Sequence, residues 1–208
     1  MEREELDRLK QLFGQNLIGP DELQPLIERL GWGMDITVPD MNYTKEQFED
    51  CSKDYLLVMG VPAIGDHAIT IRNLREAFGI DPDQGEPCFY NQDWYMHEDF
   101  IDRQLESRWY LLRKEVVEAS RAVMPEQLMA EDYAFPAAIL CAYAFFAYWF
   151  CYDEKLWYHD FVWCCDTDHN GDRIYVGKYH DVDGVNKNGF SVHRHLALRQ
   201  CYAAVTVR

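Results

Sequence analysis

The sequence predicts an α+β fold in which N-terminal helices and a buried central helix pack on a small, mainly antiparallel C-terminal sheet. Leu6, Leu9 and Leu12 repeat at the spacing of one helix face. The segment Tyr133–Tyr152 carries no charge, which is typical of a buried helix. After Phe161 the chain reads as short alternating strands separated by turn residues. Helices that come first and strands that come last are typical of the α+β class.

The N-terminal segment, 1–32, predicts a helical hairpin that lies on one α+β domain formed by 33–208. Two short helices are expected, at 3–15 and 21–30. Pro20 stands where the start of a helix tolerates proline.

The next part of the chain predicts short helices and strands in alternation. Thr44 and Gln47 match a capping box, in which both side chains satisfy free backbone amides at the start of a helix. The apolar run Tyr55–Met59 has the length of a strand. We also expect strands at Asp35–Val38 and Trp109–Val117, and helices at Ile71–Phe78 and 97–104.

The apolar segment Tyr133–Tyr152 is long enough to span a bilayer, so a transmembrane helix is the alternative. Four tyrosines and a proline dilute its apolarity, and its flanks are acidic. Membrane helices are instead flanked by Lys and Arg residues. The composition therefore favours a helix in the core of a globular protein.

The segment 161–208 predicts a β-rich binding region. Phe161–Cys165 and Arg173–Tyr179 flank a turn at Asn170–Gly171, which is a hairpin signal. Further strands are expected at Phe190–Leu198 and Ala203–Val207.

Charge divides the chain into an acidic body and a neutral tail. The segment 1–160 carries 14 Lys and Arg against 31 Asp and Glu, whereas Gly184–Arg208 has no acidic residue. A net charge of −16 argues against binding to nucleic acid or to an anionic membrane. Seven cysteines without framework spacing, and a charged N-terminus without the apolar core of a signal peptide, predict a cytoplasmic protein with free thiols.

Asp166, Asp168, Asn170 and Asp172 place oxygen ligands at alternate positions around a turn glycine, as calcium loops do. The twelfth position, where such a loop needs Glu, is Gly177. A hairpin turn explains the same residues, because Asn-Gly accepts positive φ and Asp supports tight turns. We favour the turn, expect no cofactor, and keep calcium as the alternative.

His193 and His195 are two positions apart and would lie on one face of a strand, with Ser191 and Arg199. Two histidines on a strand can hold zinc or iron if a third ligand exists, but the sequence names none. Packed structural histidines are a further possibility. We favour a polar face that contacts a partner.

Cysteine–histidine catalysis would require Cys88 with His97, or Cys164 or Cys165 with His159. Core packing explains these thiols more simply. The sequence also lacks a phosphate-binding glycine loop and a nucleophile elbow. We therefore predict a protein that is not an enzyme.

Short stretches follow one another in a characteristic order over most of the chain after position 31: Ile36–Pro39, Thr44–Glu46, Tyr55–Val58, Phe89–Tyr90, Asp93–Tyr95, Trp109–Val117, Glu126–Gln127, Pro136–Ala137, Glu154–Leu156, Val162–Asp168 and Gly171–Gly177. In this order they resemble an uncharacterised family of bacterial proteins that is common in small-genome candidate phyla. That family in turn resembles the variable proteins of diversity-generating retroelements.

This resemblance implies a C-type-lectin-like fold whose rigid frame displays variable side chains near the C-terminus. A stiff sheet can present many alternative surface residues without loss of the core. The Gly-Gly-x-Trp signature of many such folds is absent, and Gly177–Tyr179 is the nearest match. Tyr202–Ala204 stands where the last strand often begins with Gly.

The sequence thus predicts a non-enzymatic recognition protein whose C-terminal face binds a protein or another macromolecule. A metal-dependent enzyme or metal-stabilised module, using the Asp166–Asp172 loop or the pair His193 and His195, is the alternative. The predicted ligand-binding residues are Asn186, Lys187, Asn188, Phe190, Ser191, His193, Arg194, His195, Arg199 and Tyr202.

Overall fold

A computed structural model describes residues 3–179, 189–194 and 198–208 of the chain. The helices are α1 (Arg3–Phe13), α2 (Gln24–Leu30), α3 (Lys45–Cys51), α4 (Ile71–Phe78), α5 (Pro125–Ala130) and α6 (Ala138–Tyr152). The strands are β1 (Leu17–Ile18), β2 (Tyr55–Met59), β3 (Ala63–Ile64), β4 (His67–Ala68), β5 (Trp109–Arg113), β6 (Phe161–Thr167), β7 (Arg173–Tyr179), β8 (Gly189–His193) and β9 (Tyr202–Ala203). The predicted α+β class is confirmed.

The N-terminal helices are part of the main core. Helix α1 ends where Gly14 takes a positive φ of 54°, and the short strand β1 follows. Strand β1 pairs in parallel with β2, which pairs in antiparallel fashion with β5. Leu26 and Ile27 of α2 are buried, and α2 packs on α6. The N-terminal segment therefore adds both a strand and a helix face to the body of the protein.

The local signals between positions 44 and 78 are confirmed. Gln47 N donates to Thr44 Oγ1 (3.3 Å), and Thr44 N donates to Gln47 Oε1 (2.8 Å), so the capping box is complete. Helix α4 spans the predicted range, and Thr70 Oγ1 accepts a hydrogen bond from Asn73 N at its start.

Three elements between positions 35 and 117 differ from the predictions. Asp35–Val38 forms no strand, and the carbonyl of Asp35 accepts a single bond from Gly65 N (3.3 Å). The strand predicted at Trp109–Val117 ends at Arg113, because the next amide, Lys114 N, donates to Asp54 O (2.9 Å) outside the sheet. The helix predicted at 97–104 is one 3₁₀ turn, Asp99–Asp102.

The C-terminal sheet has the strand order β8-β7-β6-β9. The hairpin of β6 and β7 is confirmed, with both strands in antiparallel register. Strand β8 pairs antiparallel with β7 and ends at His193, short of the predicted Leu198. Strand β9 is very short and runs parallel to β6. Beyond it, Arg113 N donates to Thr206 O (2.8 Å), which links the two larger sheets.

Helix α6 is the central helix predicted for the apolar segment. It contacts α2, α4 and strands of both larger sheets, and its positions 138–148 are buried throughout. Two of its tyrosines pack their rings against the protein and donate hydrogen bonds from their hydroxyls to backbone carbonyls. Tyr143 Oη donates to Met59 O (3.0 Å), and Tyr152 Oη donates to Leu17 O (2.8 Å). None of the helices in the described part of the chain is long and apolar enough to cross a bilayer.

Candidate functional site

The C-terminal sheet has an inner face that lies against α6. Alternation along each strand directs one set of side chains inward. These side chains are fully buried and almost entirely apolar: Val162, Cys164, Ile174, Val176, Phe190 and Val192. The ring of Phe190 lies 5.0 Å from that of Phe145 and 5.6 Å from that of Phe89.

The outer face of the same sheet is aromatic. It carries Phe161, Trp163, Tyr175, His193 and Tyr202, and together with Leu128 and Phe135 these rings form a second, smaller cluster. The rings of Tyr175 and His193 are stacked at 5.4 Å with an angle of 19° between their planes. Phe161 and His193 are only partly buried, so this cluster reaches the surface.

His193 is held as a neutral ring. Its Nδ1 lies 3.4 Å from Gln92 Nε2, which can only donate, so Nδ1 accepts and the proton belongs on Nε2. Burial lowers the pKa of His193 to about 4. The imidazole therefore acts near neutral pH as an aromatic ring with one polar edge.

Phe190 and Ser191 do not lie on the surface as the predicted contact face required. Both side chains have 0% of their surface exposed. Phe190 points inward to the core, and Ser191, on the opposite face of β8, is buried as well. Trp163 Nε1 and Ser191 Oγ, both on the outer side, are buried and have no hydrogen-bond partner within the described residues.

The edge of β8 that faces away from β7 is hydrogen-bonded to the segment 88–94. Phe190 N donates to Cys88 O, and Tyr90 N donates to Phe190 O, each at 2.9 Å. Trp94 Nε1 donates to Val192 O (3.1 Å). Strand β8 is thus bonded along both of its edges.

Arg194 fixes the end of β8 to the β6–β7 hairpin. Its Nη1 lies 2.5 Å from Asp168 Oδ2 and 3.6 Å from Glu98 Oε1. Its guanidinium also lies over the ring of Trp94, 4.5 Å from the centroid. These contacts explain why the strand stops at His193: the next side chain turns toward two buried carboxylates.

The four predicted calcium ligands do not converge. Asp168 Oδ1 accepts from Asn170 N (2.9 Å) and Asp172 N (2.8 Å), which builds the hairpin turn. Asp166 Oδ2 instead accepts from Ala138 N (2.6 Å) and so caps the start of α6. Asn170 is exposed. The hairpin-turn interpretation fits this geometry.

Asp168 does meet two other possible metal ligands, Glu98 and His169. One ligand atom from each lies within 4.8 Å of the others. Glu98 Oε1 is 2.7 Å from His169 Nδ1, and Glu98 Oε2 accepts from His169 N (2.9 Å). Since both oxygens of Asp168 are also engaged, a cation here would have to displace Arg194. No local pattern marks Glu98 in the sequence, because it lies far along the chain from Asp168.

The charge of Arg194 affects the neighbouring acid. Although burial opposes the shift, Arg194 and the amides of Asp172 and Asn170 lower the pKa of Asp168. The carboxylate therefore stays ionised well into the acidic range, and the ion pair persists with it.

A cavity of about 490 Å³ opens beside this cluster. It lies between the 97–103 segment and the β6–β7 hairpin. Its lining is mostly polar: His97, Glu98, Asp99, Phe100, Arg103, Cys165, Asp166, Thr167, Asp168 and His169. Among the predicted binding residues that the structure describes, only Asp166 and Asp168 of the calcium-like loop line it.

The remaining predicted residues lie in different surroundings. Arg199 is exposed, and Tyr202 is 9% exposed with its hydroxyl 3.5 Å from that of Tyr175. Asn186, Lys187, Asn188 and His195 lie outside the described residues.

The cysteine–histidine pairs gain no support. Burial raises the pKa of Cys88 to about 11 and that of Cys164 well above its ordinary value. Both thiols therefore stay protonated, whereas a nucleophilic cysteine needs a thiolate. Cys165 is exposed, and partial burial of its sulfur likewise raises its pKa.

No protein family, curated protein or solved structure matches this chain. What the site can do chemically is therefore inferred from the residues and geometry described above.

Proposed function

We propose that this chain is a recognition protein whose acid-free C-terminal segment, Gly184–Arg199, binds a protein or another macromolecular ligand. The contact residues we propose are Asn186, Lys187, Asn188, His193, His195 and Arg199; of these, His193 and Arg199 belong to the described part of the chain, where His193 is partly buried and Arg199 is exposed. Phe190 and Ser191 have a supporting role, because they are buried within the sheet that carries this segment.

The observation that carries the proposal is the immobilisation of β8. The inner side chains of β8 are fully buried against α6. The strand edge that faces away from β7 is hydrogen-bonded to the segment 88–94, and Arg194 forms an ion pair with Asp168 at the end of the strand. Both ends of β8, at Gly189 and next to Arg194, are therefore fixed in position. A rigid frame of this kind lowers the entropic cost of binding and tolerates changes in the side chains it displays.

The surroundings of β8 also suit an interface. Aromatic residues and arginine contribute most of the binding energy in protein interfaces. Phe161 and His193 reach the surface from the aromatic cluster, and the exposed Arg199 lies near Tyr175 of the same cluster. A diversified, C-type-lectin-like display surface of the retroelement type is the specific form of this function that we propose.

Site-specific photocrosslinking tests the proposal. Gln200 is exposed, and its carbonyl accepts a hydrogen bond from Arg121 Nη1 (3.0 Å), so a benzophenone side chain placed there samples a defined surface. In an extract of the source cells it should give one discrete adduct. The same group at Glu46, exposed on α3, is the matched control and should give none.

A second variant separates specific contact from mere proximity. Alanine at Asn186, Lys187, Asn188, His195 and Arg199 should abolish the Gln200 adduct. The melting temperature should change by less than about 2 °C, because the proposal assigns these side chains to contact with the partner and not to packing of the core. An adduct that survives these five changes, or that forms equally from Glu46, would refute the proposed face.

A further inference from the structure

The cavity of about 490 Å³ contains a histidine whose orientation is fixed by a buried carboxylate. His169 Nδ1 lies 2.7 Å from Glu98 Oε1. The other oxygen of Glu98 accepts the backbone amide of His169 at 2.9 Å. One carboxylate therefore holds both the ring and the backbone of the same residue.

The two partners differ sharply in exposure. The side chain of Glu98 is 6% exposed, whereas that of His169 is 66% exposed. Because Nδ1 faces the carboxylate, Nε2 of the neutral ring carries the free lone pair. Within the described residues Nε2 has no hydrogen-bond partner. The carboxylate of Glu98 orients the imidazole through Nδ1 and leaves Nε2 free to accept a proton. General-base catalysis uses a base that is oriented in this way.

Arg103 supplies a positive group to the same cavity. Its Nη1 lies 2.8 Å from Asp166 Oδ1 and 3.5 Å from Cys165 Sγ. Half of the side chain is exposed, and within the described residues only Nη1 is hydrogen-bonded. Nε and Nη2 therefore remain available to an oxygen on which negative charge develops.

We propose that the Glu98–His169 pair is a general-base site that hydrolyses small, neutral esters bound in this cavity. His169 is the catalytic residue, and Glu98 is a positioning residue that acts through it. This activity is independent of the recognition function proposed above, since neither His193 nor Arg199, the described members of the proposed contact set, lines the cavity.

The step uses water as the second reactant. Water attacks the ester carbonyl carbon, and Nε2 of His169 takes one of its protons as the new C–O bond forms. The resulting oxyanion is stabilised by Arg103. On collapse, the bond to the alcohol oxygen breaks, and the imidazolium returns its proton to that oxygen. The products are a carboxylic acid and an alcohol, and the imidazole is restored.

The charges of the lining select the substrate class. Four carboxylates, from Glu98, Asp99, Asp166 and Asp168, line the cavity. They outnumber the two guanidinium groups beside them, that of Arg103 and that of Arg194, which pairs with Asp168 and Glu98. An anionic ester would be repelled by this excess of negative charge. A cavity of this volume also accommodates a small ligand rather than a polymer.

Hydrolysis of 4-nitrophenyl acetate by the intact chain is the test. The wild-type rate should exceed the buffer rate, and it should fall in D₂O because a proton moves in the step. His169→Gln should lose about 100-fold or more of the rate above buffer, which is the usual contribution of a general base. Anionic 4-nitrophenyl hemisuccinate should react more slowly than the acetate.

The matched control is His67→Gln, because His67 is exposed, lies outside the lining of this cavity and has no carboxylate partner among the described residues. Its rate should equal that of the wild type. Glu98→Gln should lower the rate and displace the pH profile, while Glu98→Asp should restore part of both. A wild-type rate no faster than buffer would overturn the proposal. So would a His169→Gln variant that retains the wild-type rate, because that residue is exposed and its replacement leaves the fold intact.

Discussion

The two faces of the C-terminal sheet are built from the same strands but from different chemistry. The inner face presents aliphatic side chains and Phe190 to α6 and is fully buried. The outer face presents aromatic rings, most of which carry a polar atom, and two of them, Phe161 and His193, are partly exposed. It also leaves Trp163 Nε1 and Ser191 Oγ without partners in the described chain. Adjacent residues of one strand therefore have opposite roles.

This difference shows how one sheet can carry an apolar, buried face and a partly exposed aromatic face on opposite sides of the same strands. Apolar burial on the inner face stabilises the sheet in a way that depends little on pH or salt. The outer face depends on ionisation and solvation, because its rings carry titratable or hydrogen-bonding atoms. Three measurements test this difference between the faces.

The largest effect is expected from neighbouring substitutions on the two faces. Phe190→Ala should lower the free energy of unfolding by about 3–5 kcal/mol, because it leaves a cavity in a fully buried aromatic cluster. Ser191→Ala should be close to neutral or slightly stabilising, since it removes a buried hydroxyl that lacks a partner in the described chain. Urea denaturation of both variants measures the two values. Equal losses would show that the faces contribute alike.

A smaller effect is expected from His193, and only in acid. The pKa of His193 is about 4 in the folded chain because of burial, whereas an unfolded histidine has its ordinary value of about 6.5. Between these values the unfolded state binds more protons, so stability falls as the pH drops from 6.5 to 4. The loss at pH 4 should be about 2–3 kcal/mol.

His193→Phe keeps a ring and removes the titration, so its stability should be nearly constant over that range. The control Ser191→Ala should retain the wild-type slope, because it leaves every titratable group in place. Below this range the lowered pKa of Asp168 should produce a second decline that both variants share. Urea midpoints at several pH values provide the measurement, and an unchanged slope in His193→Phe would assign the decline to other groups.

The smallest effect is expected from Arg199. Its side chain is exposed, and alanine there should change the free energy of unfolding by less than about 0.5 kcal/mol. Thermal unfolding measures it against the wild type. A loss above about 1 kcal/mol would place Arg199 in the frame of the protein instead of on its display surface.

Local signals in the sequence were sufficient for elements whose hydrogen bonds are local. The capping box at Thr44 and Gln47, helix α4 and the β6–β7 hairpin all rest on residues within a few positions of one another. The buried helix α6 was also predictable, because a long uncharged segment with acidic flanks has few other places to lie.

Long-range pairings explain what the sequence could not predict. The length of β8 depends on Arg194 meeting Asp168 and Glu98, and Glu98 comes from a distant loop. Asp166 and Asp168 look equivalent in the sequence, yet one caps α6 and the other builds the hairpin turn. Nothing in the spacing of these residues distinguishes such roles, because their partners are set by the tertiary fold.

The closed edge of β8 has a consequence for how any partner can bind. Many recognition domains lengthen their sheet with a strand from the ligand, and the backbone then supplies most of the affinity. Here the outward groups of Phe190 and the carbonyl of Val192 already have acceptors or donors in 88–94. These bonds block strand addition at this position, so a partner of the kind proposed above would have to contact side chains. Exchanging those side chains would then change the choice of partner while every backbone bond of the sheet stayed the same.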